Sequence, residues 1–184
     1  MNPKITQQDI AVLGLLYEHN HYTYRLQEIA EKRGMEAWAD IEYSKIPNTL
    51  EKLKKDGLIN SEIRKIDVDA STNDENAKEV YYITDKGRNV LINEIKSVLS
   101  NKSKIIYPFN LGLANISVLD DNEISESLKI YLESVEEQIK YLESSIILQK
   151  EMNIPYNFIS IYKRSVPLLK AEKDWVKEFM KELK

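Results

Sequence analysis

Two short strand-like runs, Leu58–Ile66 and Glu79–Thr84, interrupt a chain whose apolar residues otherwise repeat at helical spacing. The second run contains Val80-Tyr81-Tyr82-Ile83-Thr84, the β-branched and aromatic composition that strands favour. Between the runs lies a polar, acidic, turn-rich stretch from Asp67 to Asn76. The pattern predicts one hairpin with a mobile tip. The helices on either side then decide which mainly helical fold the chain can adopt.

Thr6 opens the first helix, and Asp9 three residues later makes a capping-box-like start. Ile10, Leu13, Leu16 and Tyr17 follow at helical spacing, until His19-Asn20-His21-Tyr22 breaks the pattern. Thr23 is placed to cap a second helix with Leu26, Ile29 and Ala30 on one face, and Gly34 is a natural stop. A third helix begins at Ser44, or at Pro47 because proline disfavours a helical residue before it. Its inward face is Ile46, Leu50 and Leu53, and Gly57 ends it. After the hairpin, Thr84 caps a fourth helix carrying Val90, Leu91, Ile95 and Val98. Three helices, a two-stranded hairpin and a helix is the order of a winged helix-turn-helix.

Composition shifts near Ser100-Asn101-Lys102-Ser103, which predicts a winged-helix domain over 1–100 and a linker and helical domain over 101–184. An irregular piece around Pro108 and Gly112 precedes a coiled-coil-like seam of Ile124, Leu128, Tyr131, Val135, Ile139, Leu142 and Ile146. Pro155 marks a restart, and the last helix or helix pair is expected to be interrupted at Pro167. The seam offers more apolar surface than one short partner helix covers. The expected dimer interface is therefore Leu128, Tyr131, Val135, Ile139, Leu142, Ile146, Val176 and Phe179. The fold class expected is mainly α: a winged helix-turn-helix followed by an all-α dimerisation domain.

Several functions find no support. The chain has no cysteine, so disulfides and thiolate metal sites are excluded. His19 and His21 are the only histidines, and their spacing in a turn is not that of a helical metal pair. The five glycines form no phosphate-cradling loop, and no carboxylate pair stands out for acid–base chemistry. No catalytic residue, metal or cofactor is expected. Met1-Asn2-Pro3-Lys4 carries no apolar run of signal-peptide type, and no apolar stretch approaches the length of a bilayer span. A cytoplasmic protein without membrane contact is the expectation.

In order and spacing, five segments resemble the PadR family of transcriptional regulators. They are Val12-Leu13-Gly14-Leu15-Leu16, Tyr22-Thr23-Tyr24-Arg25-Leu26, Ser44-Lys45-Ile46-Pro47-Asn48-Thr49-Leu50, Leu53-Lys54-Lys55-Asp56-Gly57-Leu58-Ile59 and Val80-Tyr81-Tyr82-Ile83-Thr84-Asp85-Lys86-Gly87. The helical tail, with Trp175 near its end, looks like the dimerisation domain of the family's virulence-activator branch. Pro47 stands where the family usually has Tyr, Tyr22-Thr23 replaces His-Gly, and the wing tip is acidic.

The resemblance implies a homodimer on double-stranded DNA, with a repressor on a palindromic operator as the leading form. A recognition helix presents donors and acceptors to base edges in the major groove. Ser44, Lys45, Asn48, Lys52 and Lys55 fall on the outward side of the third helix, with Lys45 and Asn48 on its first turn. Tyr24 and Arg25 start the helix before it, with core packing the competing reading for Tyr24. Arg64, Lys65 and Lys78 flank the hairpin, close enough for backbone contact. Some family members answer to small aromatic acids or drugs. An effector here is expected to be small and apolar and to sit between the two domains, against Tyr107, Phe109, Tyr131 and Trp175. Mutual packing competes as the explanation of these rings. The net charge of −4 and the acidic wing leave a second reading open, a winged helix used for protein–protein contact.

Overall fold

The computed structural model describes residues 4–39, 41–65, 77–102 and 107–183, with the side chains of Lys65 and Ala77 outside that set. The hairpin tip from Asp67 to Asn76 and the proposed boundary residue Ser103 lie outside the described residues. The chain divides into two compact units, Met1–Ser103 and Lys104–Lys184.

The first unit begins with α1 (Gln7–Glu18), whose start is a full capping box. Asp9 N–H donates to Thr6 Oγ1 at 3.2 Å, and Thr6 N–H donates to Asp9 Oδ2 at 2.7 Å. Helix α2 (Thr23–Lys32) follows, and Gly34, at φ 59°, ends it in the left-handed region. Thr23 is not the cap: it is the first helical residue, and the N-cap position falls on Tyr22. A short helix α3 (Met35–Ala39) and a 3₁₀ turn, Tyr43–Lys45, have no counterpart in the sequence reading. Both are pinned tertiarily, Met35 by burial and Tyr43 by its hydroxyl, which accepts from Glu36 N–H at 3.1 Å.

Helix α4 (Ile46–Lys55) starts at the residue before Pro47. Ile46 is helical, at φ −54° and ψ −45°, despite the following proline. Complete burial of its side chain outweighs the local preference. Ile46, Leu50 and Leu53 all face the core, as expected, beside Leu13, Leu16 and Leu26. Gly57, at φ 70°, turns the chain into β1 (Ile59–Lys65), which pairs antiparallel with β2 (Ala77–Ile83). His21 adds a bridge to Tyr81 on the free edge of β2, with N–H···O distances of 3.2 and 2.8 Å. Helix α5 (Asp85–Ser100) is capped by Thr84, whose Oγ1 accepts from Gly87 N–H at 3.1 Å. Only the first half of its apolar face is covered: Leu91 is buried, whereas Ile95 and Val98 are exposed.

The second unit contains α6 (Phe109–Ala114), α7 (Asp121–Glu151) and α8 (Tyr156–Glu182). Asn153, at φ 53°, makes the tight turn between the long helices. Two expectations are corrected here. Helix α8 runs through Pro167 without a break. The proline costs about 3 kcal/mol in a helix interior, but Phe158, Ile159, Tyr162 and Val166 before it and Val176 after it are all buried. The seam of α7 is also already covered inside one chain. Leu128, Val135, Ile139, Leu142 and Val176 are buried, and Tyr131, Ile146 and Phe179 are half-buried. The expected partner helix was short and interrupted, whereas the real one has 27 residues.

Candidate nucleic-acid interface

The core side of α4 leaves Asn48, Glu51 and Lys55 exposed along one outer stripe, at i, i+3 and i+7, and Ser44 is exposed on the 3₁₀ turn before it. Lys55 and Asn48 have no side-chain partner among the described residues. Lys45, at the N-cap, is exposed and paired with Glu42. Two further lysines leave the stripe on opposite sides. Lys52, expected to face outward, is corrected by the structure: its ammonium reaches back to Asp9 on α1 and donates to Lys4 O at 3.2 Å. Asp9 is only 1% exposed, so this carboxylate depends on Lys52 and Thr6 for its compensation. Losing the ammonium would strand it at a cost on the order of 1–3 kcal/mol. The sequence signal was available in the capping box, but nothing in a linear reading points Asp9 across to a lysine 43 residues away.

On the other side Lys54 donates to Glu79 on β2 at 2.7 Å. Glu79 also accepts from Ser61 Oγ at 2.6 Å and from Tyr81 OH at 2.7 Å. Lys54 foremost, then Ser61 and Tyr81, hold the Glu79 carboxyl down at about 2. Burial first, and the bond to Glu79 second, push the Tyr81 phenol up to about 12. Glu79 thus ties α4, β1 and β2 together. Its folded pKa lies below the unfolded value of about 4.3. Its contribution to stability is therefore complete above that value and lost as pH falls toward about 2. Glu79→Gln should lose less stability than the unmodified protein between about pH 5 and about pH 2 in urea titrations. Parallel losses for the two proteins would refute the role.

The remaining expected residues fall around this helix. Tyr24 is 68% exposed on the first turn of α2, so core packing is not its role. Arg25 follows it and pairs with Glu28 at 2.5 Å. The 3₁₀ turn is fixed to α2 by Gln27, whose amide donates to Tyr43 O at 3.2 Å. Arg64 on β1 bonds Glu62 at 2.6 Å. Lys78 on β2 sits over the Tyr22 ring, 4.7 Å from its centre. The Lys65 side chain is outside the described residues. Burial foremost, then the neighbouring His19, lowers the His21 pKa, which favours the neutral imidazole of His21.

The aromatic set expected to hold an effector lies within the second unit. Phe109 stacks on Tyr131 at 4.4 Å, Trp175 meets Phe109 edge-on at 6.3 Å, and Trp175 stacks on Phe179 at 5.2 Å. Tyr107 is exposed. Beside Phe109 and Tyr131 is a half-open, largely apolar hollow of about 240 Å³, lined also by Gly112, Leu113, Ile116, Leu128 and Ser127. Among the described residues no group of three or more histidines and carboxylates is placed to share a metal ion, and no helix is long and apolar enough to cross a membrane.

The sequence matches no protein-family model, and no curated protein matches it. Solved structures match the fold over nearly the whole chain. Bacillus subtilis PadR in complex with operator DNA is 19% identical, with a TM-score of 0.71 over 96% of this chain and 98% of that one. The same protein in complex with p-coumaric acid is 19% identical, with a TM-score of 0.75 over 97% and 99%. The Vibrio cholerae virulence activator AphA is 15% identical, with a TM-score of 0.69 over 96% and 97%. At such identities the likeness establishes the fold, and this chain has the fold of PadR and PadR-like transcriptional regulators.

Proposed function

We propose that the chain is a sequence-specific DNA-binding transcriptional regulator that works in the cytoplasm as a homodimer, repressing from a palindromic operator. In this reading residues 1–100 bind DNA and residues 101–184 join two chains. The observation that carries it is the outer stripe of α4: Asn48 and Lys55 project from a helix braced on both sides through Lys52 and Lys54, with Ser44 exposed on the 3₁₀ turn that leads into it. A rigid helix with free donors and acceptors on its first turn suits base-edge readout in the major groove. The operator complex of Bacillus subtilis PadR, a protein of the same fold, supports the same use here.

Selection from random duplexes, followed by binding measurements, tests the proposal. A single site should be enriched, and Asn48→Ala should lose about 1–3 kcal/mol, roughly 5- to 150-fold, at one base position only. Absence of any enriched site and of salt-sensitive binding defeats the reading.

The reading extends to a small aromatic effector, because Bacillus subtilis PadR takes p-coumaric acid. The cavity against Phe109 and Tyr131 is the size of a single-ring molecule and largely apolar. p-Coumarate at roughly a hundred times its dissociation constant should stabilise the full chain by about 2.7 kcal/mol. An unchanged melting temperature removes the effector and leaves DNA binding standing.

A further inference from the structure

Three cations on the candidate interface share one feature: each is already held by a carboxylate of its own chain. Arg25 bonds Glu28 at 2.5 Å, Lys45 bonds Glu42, and Arg64 bonds Glu62 at 2.6 Å. These pairs are set by local geometry, at i,i+3 on helical turns and i,i−2 along one face of a strand. Glu42 is held in place by more than its own charge. Its N–H donates to Gln8 Oε1 at 3.0 Å, and its carbonyl accepts from Gln8 Nε2 at 3.2 Å. The three carboxylates remain reachable by water, at 29% exposure for Glu28, 57% for Glu42 and 46% for Glu62. In that they differ from Asp9, whose carboxylate is buried against Lys52 at 2% exposure.

Sequence-independent affinity for DNA comes almost wholly from cations meeting phosphates, whereas specific affinity also draws on base contacts. A carboxylate beside each cation weakens the first more than the second. Its charge offsets the attraction for any phosphate and repels the phosphate that displaces it, but it leaves the Asn48 side chain untouched.

We propose that Glu28, Glu42 and Glu62 are specificity-determining residues that suppress binding to random DNA by occupying the phosphate-facing cations. The proposal rests on the DNA-binding reading above. It makes a counter-intuitive demand, that deleting interface carboxylates improves binding while degrading discrimination.

The test uses the full chain with Glu28→Gln, Glu42→Gln and Glu62→Gln combined. A second triple variant, Glu136→Gln, Glu143→Gln and Glu178→Gln, removes the same charge from exposed pairs in the second unit with Lys177, Lys170 and Lys181. Each protein is titrated with a random-sequence duplex and with the selected site over a salt series. The interface triple should bind the random duplex about tenfold tighter with a steeper salt dependence, and its ratio of specific to random affinity should fall. Thermal melts confirm that both variants fold, since the pairs are exposed and individually weak. Unchanged random-duplex affinity, or an equal gain in the second-unit variant, overturns the proposal while the DNA reading survives. Failure of every protein to bind any duplex at low salt overturns both.

Discussion

Replacing Gly87 by alanine is expected to destabilise the winged-helix unit by about 3 kcal/mol or more, a fall in melting temperature on the order of 10 °C or beyond. A Cβ at this position would lie 2.0 Å from the carbonyl oxygen of Leu58 and 2.9 Å from its carbonyl carbon and from Ile83 Cγ1. The first two are backbone atoms and cannot rotate away. The oxygen is also engaged, accepting from Thr84 N–H and Thr84 Oγ1, each at 3.0 Å. Relieving the clash would pull the start of β1 away from the cap of α5 and break both bonds. Gly14, mid-helix in α1, is the opposite case, because a Cβ there meets nothing within 4 Å. Gly14→Ala should stabilise by about 0.5–1 kcal/mol through helix propensity alone. Calorimetric melts of the two variants with opposite signs would bear out the packing argument. A Gly87→Ala protein that melts with the parent would sink it.

Removing the second unit should have the largest effect on binding. A chain ending at Asn101 keeps the whole core around Leu13, Leu26 and Leu50 and should fold. It should sediment as a monomer and bind the selected site at least about a hundredfold more weakly than the full chain, since a linked second half-site multiplies affinity by about 10² to 10⁴. The surface expected to pair two chains is not the one a seam-based reading selects. Leu128, Val135, Ile139 and Leu142 are spent on α8. What α7 leaves exposed is Ile130, Tyr141, Ile147 and Leu148, and of these Ile130, Tyr141 and Leu148 return to one side of the helix. Sedimentation and binding titrations of both chains decide this. A monomeric full-length protein, or a truncated one that binds as tightly, removes the dimer from the mechanism.

The core and the order of elements were readable from one sequence because they rest on local signals. Thr6 with Asp9, Gly34, Gly57 and Thr84 are caps and stops whose chemistry needs no knowledge of the fold, and Ile46, Leu50 and Leu53 share a face by periodicity alone. What escaped was set by contacts distant in sequence. Helix α3 and the turn at Tyr43–Lys45 lack a strong local pattern and exist because Met35 is buried and Tyr43 is clamped. Lys52 looks like any solvated lysine until the cap of α1 is seen to lie beneath it. Pro167 looks like a break because its cost is local, while the packing that offsets it comes from α7. The interface followed the same rule: Asn48 and Lys55 were legible from the helix period, and the carboxylate partners of Arg25, Lys45 and Arg64 were legible only as neighbours, not as competitors.

The turn at Asn153 has a kinetic side. Helices α7 and α8 meet along their length across a few residues of connection, so their contacts close without a long loop to order. The first unit is assembled from distant partners instead: Asp9 with Lys52, Gln8 with Glu42, His21 with Tyr81. Contacts of low sequence separation form fast and non-local ones slowly. The helical hairpin is therefore expected to be the rapid element of refolding, and the β-edge bridge at His21, which needs α1, α2 and β2 in place, is expected among the last events to acquire hydrogen-exchange protection.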